Sequence, residues 1–240
     1  MKKKINILQF FLVALLIGLA IAFVVKFGGP KLLRVYVEAG IGTCKKVPIL
    51  CRVPEAEVIS PKINKEFITE LVPYKFSEME IFIPKGFRVV KQLATRVYYK
   101  KKKDKDSGSI FYLLYEPKDF FVNLSPQVKA GGVSDDYEFL RRTMYARPDE
   151  VKNLIDAFFV VTKSLFIPDM GDQSNVIMTR FVIENKKGFL NYNLSPGGNY
   201  FDFNMLDNQG NFFKVCIKDK QARLDLDKAF AIISTCSFLP

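Results

Sequence analysis

The side chains best suited to chemistry in this sequence are four cysteines, a cluster of lysines and a short run of acids. Histidine is absent from all 240 residues, which excludes His-ligated metal sites and the histidine-dependent nucleophiles of hydrolases. The sequence also lacks a glycine-rich phosphate loop and the serine motifs Ser-x-x-Lys and Gly-x-Ser-x-Gly. We therefore predict no catalytic residue, metal ligand or cofactor, and we expect a protein that is not an enzyme.

The four cysteines fall as two pairs, which suits disulfides in an oxidising compartment. Cys44 and Cys51 flank a proline turn, and we predict that they pair. We predict a second disulfide, Cys216–Cys236, because it would join the last long strand to a closing helix whose sheet-facing side includes Cys236. The alternative is that the cysteines are buried reduced thiols of a cytosolic domain. Zinc is less favoured, since the spacing lacks the CxxC of zinc knuckles and ribbons.

The densest charge follows Tyr98-Tyr99, at a predicted hairpin tip. Lysines beside aromatic rings suit an anionic surface, so we predict a contact with anionic lipid or glycan and no specific nucleic acid. The alternative is a solvent-exposed hairpin tip whose lysines keep an edge strand from pairing with another chain. Asp104 and Asp106 favour this alternative, because they reduce the net positive charge of the tip. A formal net charge of +11 agrees with attraction to an anionic partner. The candidate contact residues are Lys100, Lys101, Lys102, Lys103 and Lys105.

The run of acids, Asp135, Asp136 and Glu138, stands at the predicted start of a helix, with Ser134 as its N-cap. Such a cluster could serve in acid–base or cation chemistry. Acids in a first turn also complement the helix dipole, and we favour this structural interpretation. The adjacent pair Phe120-Phe121 is interpreted as core, with an exposed partner or lipid contact as the alternative.

An uncharged N-terminal run over residues 5–25 follows three lysines and would span about 31 Å as a helix, enough to cross a bilayer. We predict a transmembrane anchor that contacts the lipid bilayer, with residues 1–4 as a cytoplasmic tail. The alternative is a cleaved signal peptide, because Ala20-Ile21-Ala22 has the form of a cleavage site. The apolar run continues past that site, which favours the anchor.

Prolines and glycines punctuate residues 26–79, so we predict an extracytoplasmic arm there without a long helix, although 65–71 suits a short one. Strand patterns begin at Glu80, and we assign residues 80–240 to one α+β domain. Adjacent Phe212-Phe213 implies a sheet covered on both faces, hence an α/β/α sandwich with a mainly antiparallel sheet. The predicted strands are 80–84, 87–90, 96–99, 109–115, 175–184, 188–194, 200–206 and 212–218, and the predicted helices are 134–145, 148–165 and 226–236.

The order of these elements resembles PsbP-like domains, over residues 80–240. The matching motifs are the opening strand 81–87, IFIPKGF, and the closing helix with its Ser-Phe end at 229–238, AFAIISTCSF. The resemblance implies an antiparallel α/β/α sandwich. It also implies a role in binding or assembly rather than a catalytic centre, which is an expectation by analogy.

The sequence thus predicts a single-pass protein of the cell membrane, with its N-terminus in the cytoplasm and its domain outside. We expect the domain to act as a binding or assembly module whose ligand the residues do not identify, with a membrane or envelope protein as one partner class. The alternative is a membrane-tethered hydrolase that uses carboxylates. A deep cleft with two or more convergent acids would favour the hydrolase, and a flat or shallow apolar patch would favour the module.

Overall fold

The computed structural model describes residues 29–76, 78–101, 109–124, 126–167 and 175–238. The predicted membrane anchor at 5–25 lies outside this part of the chain. Within the part described, no helix combines the length and the apolar character that crossing a membrane requires.

Two β-sheets form the frame of the domain. The larger has eight strands in the order β1-β7-β8-β9-β10-β6-β5-β4, and the smaller has three in the order β11-β3-β2. Each neighbouring pair is antiparallel except β1 and β7, which run parallel. The α+β class and the mainly antiparallel sheet are therefore as predicted. The strands are β1 Val58–Ile59, β2 Leu71–Phe76, β3 Met79–Pro84, β4 Phe87–Gln92, β5 Arg96–Lys101, β6 Ile110–Glu116, β7 Ile177–Ile183, β8 Lys186–Ser195, β9 Gly198–Asp207, β10 Phe212–Asp219 and β11 Ser237–Phe238.

One side of the large sheet, which we call the inner face, is packed against the small sheet and helix α7, Leu226–Ser234. Side chains alternate along a strand, so Phe201 and Phe203 both point to this face from β9. The ring of Phe230 on α7 lies 5.5 Å from that of Phe203. Asp225 caps α7 by accepting a hydrogen bond from the Lys228 backbone N–H.

The opposite side of the large sheet, the outer face, carries the remaining helices of the domain. Asp135, rather than Ser134, caps helix α5 (Asp136–Tyr145) by accepting a hydrogen bond from the Glu138 N–H. Asn153 caps helix α6 (Leu154–Phe166) by accepting hydrogen bonds from the N–H groups of residues 155 and 156. The predicted helix start at Pro148 is wrong, because that proline opens a separate 3₁₀ turn, Pro148–Glu150. The outer helices are α3 Phe120–Leu124, α4 Pro126–Ala130, α5 Asp136–Tyr145 and α6 Leu154–Phe166.

Helix α6 packs with a different side from the one its sequence suggests. Residues 151, 154, 155, 158, 161 and 165 have helical spacing, yet four of these six, Leu154, Phe158, Val161 and Leu165, are exposed, Leu165 by 78%. Phe159, Val160 and Lys163 are buried instead. The helix is apolar around most of its circumference, so periodicity alone could not choose the buried side.

Elements of the predicted arm pack onto the domain. Helix α1, Pro30–Ile41, begins with proline at its first position and places Leu33 and Val37 against α6. The predicted short helix forms as α2, Lys65–Glu70, capped by Asn64. Strand β1 extends the large sheet at the edge next to β7. The prediction that this segment lacks a long helix was therefore wrong, because a 12-residue helix fits between Pro30, which is its first residue, and Pro48.

The four cysteines form one disulfide instead of two. Cys44 and Cys51 are joined as predicted, and the loop between them buries Ile49 in the outer-face core. The predicted Cys216–Cys236 pair is wrong, because both are free thiols. Cys236 faces the inner core, as expected from its helix, but alternation along β10 turns Cys216 to the outer face.

Candidate functional site

A cavity of about 640 Å³ lies on the outer face of the large sheet, at the end that the helices leave partly uncovered. Strands β5, β6 and β10 form its floor, while α3 and the last turn of α6 form one wall. Its volume is in the range of small-molecule sites. The lining consists mainly of aromatic and aliphatic side chains, namely Tyr98, Ile110, Tyr112, Leu114, Phe120, Phe121, Leu165, Phe166, Tyr200 and Phe212, with Arg96, Glu116, Lys214, Cys216 and Lys218 as its polar members.

A cross-strand row links the open floor of the cavity to a buried polar cluster. Tyr98, Tyr112, Cys216, Asp202 and Asn191 are successive register partners on five adjacent strands. The two tyrosine rings lie 4.7 Å apart at the open end. Asn191 and Asp202 are buried at the other end, under the helices. The row therefore runs from a half-buried aromatic pair to a buried charge within one face of the sheet.

Asp202 is the centre of the buried cluster and has no exposed surface. Its Oδ1 lies 2.8 Å from the Lys214 ammonium, and its Oδ2 accepts hydrogen bonds from the side-chain amides of Asn191 at 3.2 Å and Asn204 at 3.0 Å. The Lys214 ammonium also donates to Asn204 Oδ1 at 3.0 Å and to the Phe166 carbonyl at 2.6 Å. A buried ion pair with this many partners is satisfied on both sides, which is the condition for its stability.

Cys216 contributes a thiol to the cavity floor. Its Sγ lies 2.9 Å from Asp202 Oδ1 and donates to it. Burial raises the pKa of the Cys216 thiol well above its usual range, and the negative charge of Asp202 raises it further. The thiol therefore stays protonated at neutral pH and is a poor nucleophile.

The cavity has a phenylalanine end and a basic end. The first is lined by Phe120, Phe166 and Phe212 and includes Glu116, whose carboxyl pKa is raised by burial while Thr95 and Arg96 act in the opposite direction. At the second, the exposed Lys218 is the register partner of Ile110. The arrangement suits a molecule with an apolar body and a charged tip.

The predicted acids have structural roles. Asp135 caps α5, and this backbone hydrogen bond from Glu138 lowers its pKa. Glu138 pairs with Arg141 and Arg142 at 2.6 and 2.9 Å. Asp136 is buried and accepts a hydrogen bond from the Val122 N–H at 3.0 Å. The interpretation of these acids as part of a helix N-terminus therefore holds for Asp135 and Glu138. Asp136 instead links α5 to α3 through its hydrogen bond with Val122.

A second, smaller hollow of about 270 Å³ contains four aspartates, Asp119, Asp135, Asp136 and Asp207, together with two lysines. Asp207 accepts hydrogen bonds from the N–H groups of residues 209 and 211, as a turn aspartate does. Among the described residues, the one group with three ligand atoms close enough for a metal is Cys44, Cys51 and Asp149. Its two sulfurs are bonded to each other, so they do not offer thiolates.

The predicted anionic contact is only partly covered by the structure. The hairpin itself is confirmed, since β5 and β6 are antiparallel neighbours. Lys100 is exposed and lies on the outer-face side of β5, like Tyr98. Lys102, Lys103 and Lys105 lie outside the described residues, and for Lys101 only the backbone strand is described. Lys100 is therefore the member of the set that the structure places beside the cavity.

The pair Phe120-Phe121 contributes both to the core and to the cavity. Phe121 is buried, and its ring stacks on Phe139 with centroids 5.0 Å apart. Phe120 is half-buried at the cavity wall. The core interpretation therefore holds for Phe121, within helix α3 rather than a loop.

The buried cluster around Asp202 was missed at the sequence level, although a signal was present. Phe212-Phe213 already implied that both faces of the sheet are covered at that point. Lys214 follows two residues later and must share the face of Phe212, and Asp202 and Asn204 alternate with phenylalanines in the same way. Polar residues at alternate positions of such strands must be buried, and buried charges need partners.

Comparison of the chain with protein-family models finds no match, and comparison with curated proteins finds no significant similarity. The resemblance to PsbP-like domains thus has no support beyond the motifs that suggested it. What the domain binds has to be argued from the chemistry of its own residues.

Proposed function

We propose that this chain is a single-pass, membrane-anchored binding module whose extracytoplasmic domain takes its ligand in the outer-face cavity. The observation that carries the proposal is the cavity itself, which has aromatic walls and a few charged groups at its ends. Sites of this composition bind small molecules by apolar contact and orient them by the polar groups. The finer architecture that we propose is an α/β/α sandwich held outside the membrane by the helix at 5–25.

Binding is favoured over catalysis by the state of the acids in the cavity. Glu116 is the single carboxylate among the described residues of its lining. Asp202, directly behind the floor, is neutralised by Lys214 and saturated with hydrogen bonds. Within the described part of the chain, this cavity therefore does not bring together the paired carboxylates that a hydrolase without histidine would need.

The extracytoplasmic placement is supported by the Cys44–Cys51 disulfide, since such bonds persist in oxidising compartments. Lysines 100–103 and 105 would then face the outer surface of the membrane or envelope, where anionic lipid or glycan is their proposed contact. An envelope or membrane protein is the proposed class of macromolecular partner.

Topology is tested by labelling single introduced cysteines in intact cells with a maleimide that does not cross membranes. Gln209→Cys lies in an exposed turn of the domain, and Lys3→Cys lies in the predicted cytoplasmic tail. We expect the first to be labelled in intact cells and the second only after the membrane is permeabilised. The unmodified chain is the control, because its free thiols are buried. Labelling of Lys3→Cys but not Gln209→Cys in intact cells would refute the placement.

Ligand capture is tested with benzoylphenylalanine in place of Tyr98, which lines the cavity, and in place of Val182, which is exposed elsewhere. After irradiation of cells, we expect mass spectrometry to find a small-molecule adduct at position 98 and none at position 182. The binding function is wrong if position 98 gives no adduct, or the same adducts as position 182.

The alternative is a membrane-tethered hydrolase, and one observation favours it. Burial raises the pKa of Asp136 in the hollow that also contains Asp119 and Asp207, and a raised pKa suits a general acid. A panel of chromogenic esters, phosphates and glycosides tests this alternative. Turnover by the native chain that Asp136→Asn abolishes would favour the hydrolase over the binding module.

A further inference from the structure

We propose that the outer-face cavity binds a single-chain anionic amphiphile, a carboxylate on an unbranched apolar chain, with its head at the Lys218 end. This inference rests on the proposed binding function and names the ligand class for the same cavity. Three features of the molecule support it: the apolar body of the cavity, the acids and hydrogen-bond acceptors that each surrounding cation already contacts, and the position of each cation along the strands of the sheet.

The body of the cavity suits one apolar chain. From Ile110 its floor continues along β6 through Tyr112 and Leu114, which alternate on the outer face. Beyond them, Phe120 and Phe212 form the far wall. A volume of about 640 Å³ matches one small molecule. Burying the chain against these side chains provides the main attraction, in proportion to the apolar area removed from water.

The cation deepest in the cavity is not available to a ligand. An ammonium has three N–H donors, and Lys214 directs its donors at Asp202, Asn204 and the Phe166 carbonyl. Arg96, at the phenylalanine end, lies close enough to Glu116 for its charge to oppose the rise in the pKa of that carboxyl. A ligand carboxylate at this end would meet Glu116, so the phenylalanine end suits the apolar tail.

The other end of the cavity is basic, and the described residues that line it there include no acid. Arg88, Lys100, Ile110 and Lys218 are successive register partners on β4, β5, β6 and β10, so all four belong to one row of the outer face. Neighbouring strands are about 4.8 Å apart, which leaves Lys100 and Lys218 on either side of Ile110. Neither lysine forms an ion pair within the described part of the chain. This row can receive an anionic head, and it repels a cationic one.

Binding is measured on the full chain in nanodiscs of zwitterionic lipid, with 11-(dansylamino)undecanoate as the fluorescent probe and empty discs as the blank. Decanoate, decan-1-ol and decyltrimethylammonium then compete for the probe, since they share a chain and differ in the charge of the head. We expect decanoate to displace the probe at a concentration at least about tenfold lower than the other two, because hydrogen bonds to charged groups are the strong ones.

Matched variants locate the head. Three variants each remove one positive charge. Lys218→Gln removes it at the basic end, Arg96→Gln at the phenylalanine end, and Lys85→Gln at an exposed position outside the cavity. We expect the Kd of the probe to rise about tenfold in Lys218→Gln and less than about twofold in the other two. A larger effect in Arg96→Gln than in Lys218→Gln would overturn the assigned orientation.

The remaining outcomes separate this inference from the binding function. Equal displacement by the alcohol or the ammonium compound would overturn the ligand class while photo-adducts at position 98 still upheld the function. Loss of probe binding in discs of anionic phosphatidylglycerol would assign the cavity to two-chain membrane lipid and overturn the single-chain claim. No probe binding in any disc would overturn the inference, and no adduct at position 98 as well would overturn both.

Discussion

The two faces of the large sheet are built from the same strands but carry different chemistry. On β9, Phe201 and Phe203 turn inward to an apolar core, while Asp202 and Asn204 turn outward. The inner face is closed by the small sheet and α7. The outer face is covered by helices at one end and opens into the cavity at the other. The inner face therefore holds the fold together, and the outer face contains the buried polar cluster and the cavity.

The difference shows how a sheet can combine stability with a polar site. A buried charge costs several kcal/mol unless it is paired and hydrogen-bonded, and the outer face meets this requirement with Asp202 and Lys214 side by side. The apolar inner face has no such requirement and needs only close packing. Substitutions on the two faces should therefore differ in size and in what they change.

The largest effect is expected on the inner face, from Phe203→Ala. Its ring has no exposed surface and lies 5.6 Å from that of Phe181 and 5.5 Å from that of Phe230. Removing it should lower the free energy of unfolding by about 3–5 kcal/mol. Urea titration of the chain in detergent micelles, followed by the near-ultraviolet circular dichroism of its tyrosines, measures this. Phe203→Leu should cost about 1 kcal/mol, and equal losses in the two variants would contradict the packing argument.

On the outer face, Asp202→Ala should cost about 3 kcal/mol, because it leaves the largely buried Lys214 ammonium without its counter-charge. The double variant Asp202→Ala with Lys214→Met should recover much of that loss, since an apolar pair can replace a buried ion pair. The same urea titration measures the free energy of unfolding of the single and the double variants. Losses that simply add in the double variant would mean that the two side chains do not act as a pair.

A pH dependence is expected from Lys163, which is buried on helix α6 and donates to the carbonyls of Arg52 and Ala146 at 2.6 and 2.9 Å. Burial, together with the charge of Arg147, lowers the pKa of Lys163 to about 7, and the charge of Glu150 acts in the opposite direction. Above that pH the unfolded chain binds more protons than the folded chain. Stability should therefore rise with pH, by about 1.4 kcal/mol per unit between pH 7 and 8.5.

Thermal or urea unfolding at several pH values measures this slope. The control is Lys163→Met, which should be nearly independent of pH over the same window. Below pH 7 the lysine is protonated in both states and its contribution should be flat. A native chain whose stability is constant or falls between pH 7 and 8.5 would show that Lys163 stays charged in the fold.

The smallest effect on stability is expected at the open end of the outer face. Tyr112 is half-buried on the cavity floor, with the Tyr98 ring 4.7 Å away. Tyr112→Leu should lower the free energy of unfolding by about 1 kcal/mol or less. The Kd of 11-(dansylamino)undecanoate should nevertheless rise several-fold. A variant that loses stability on the scale of Phe203→Ala would show that this end belongs to the core.

Local features were predicted well from the sequence because their causes are local. The hairpin of β5 and β6 and the short helix α2 each depend on residues only a few positions apart. The Cys44–Cys51 bond is of the same kind, since a turn brings its ends together. Strand alternation also made the two-faced sheet predictable from Phe212-Phe213.

The composition and periodicity of this chain determined its class, the position of strands β3–β10 and the absence of any histidine-dependent chemistry, whereas β1, β2 and β11 were not predicted. Tertiary structure alone decided which side of α6 is buried, because that helix is apolar nearly all round and its neighbours make the choice. It also decided that Cys216 meets Asp202 rather than Cys236, since a strand's orientation in its sheet sets the direction of every side chain along it. The cavity likewise exists only where the outer helices stop short of the sheet's edge, a property of packing that no stretch of sequence contains.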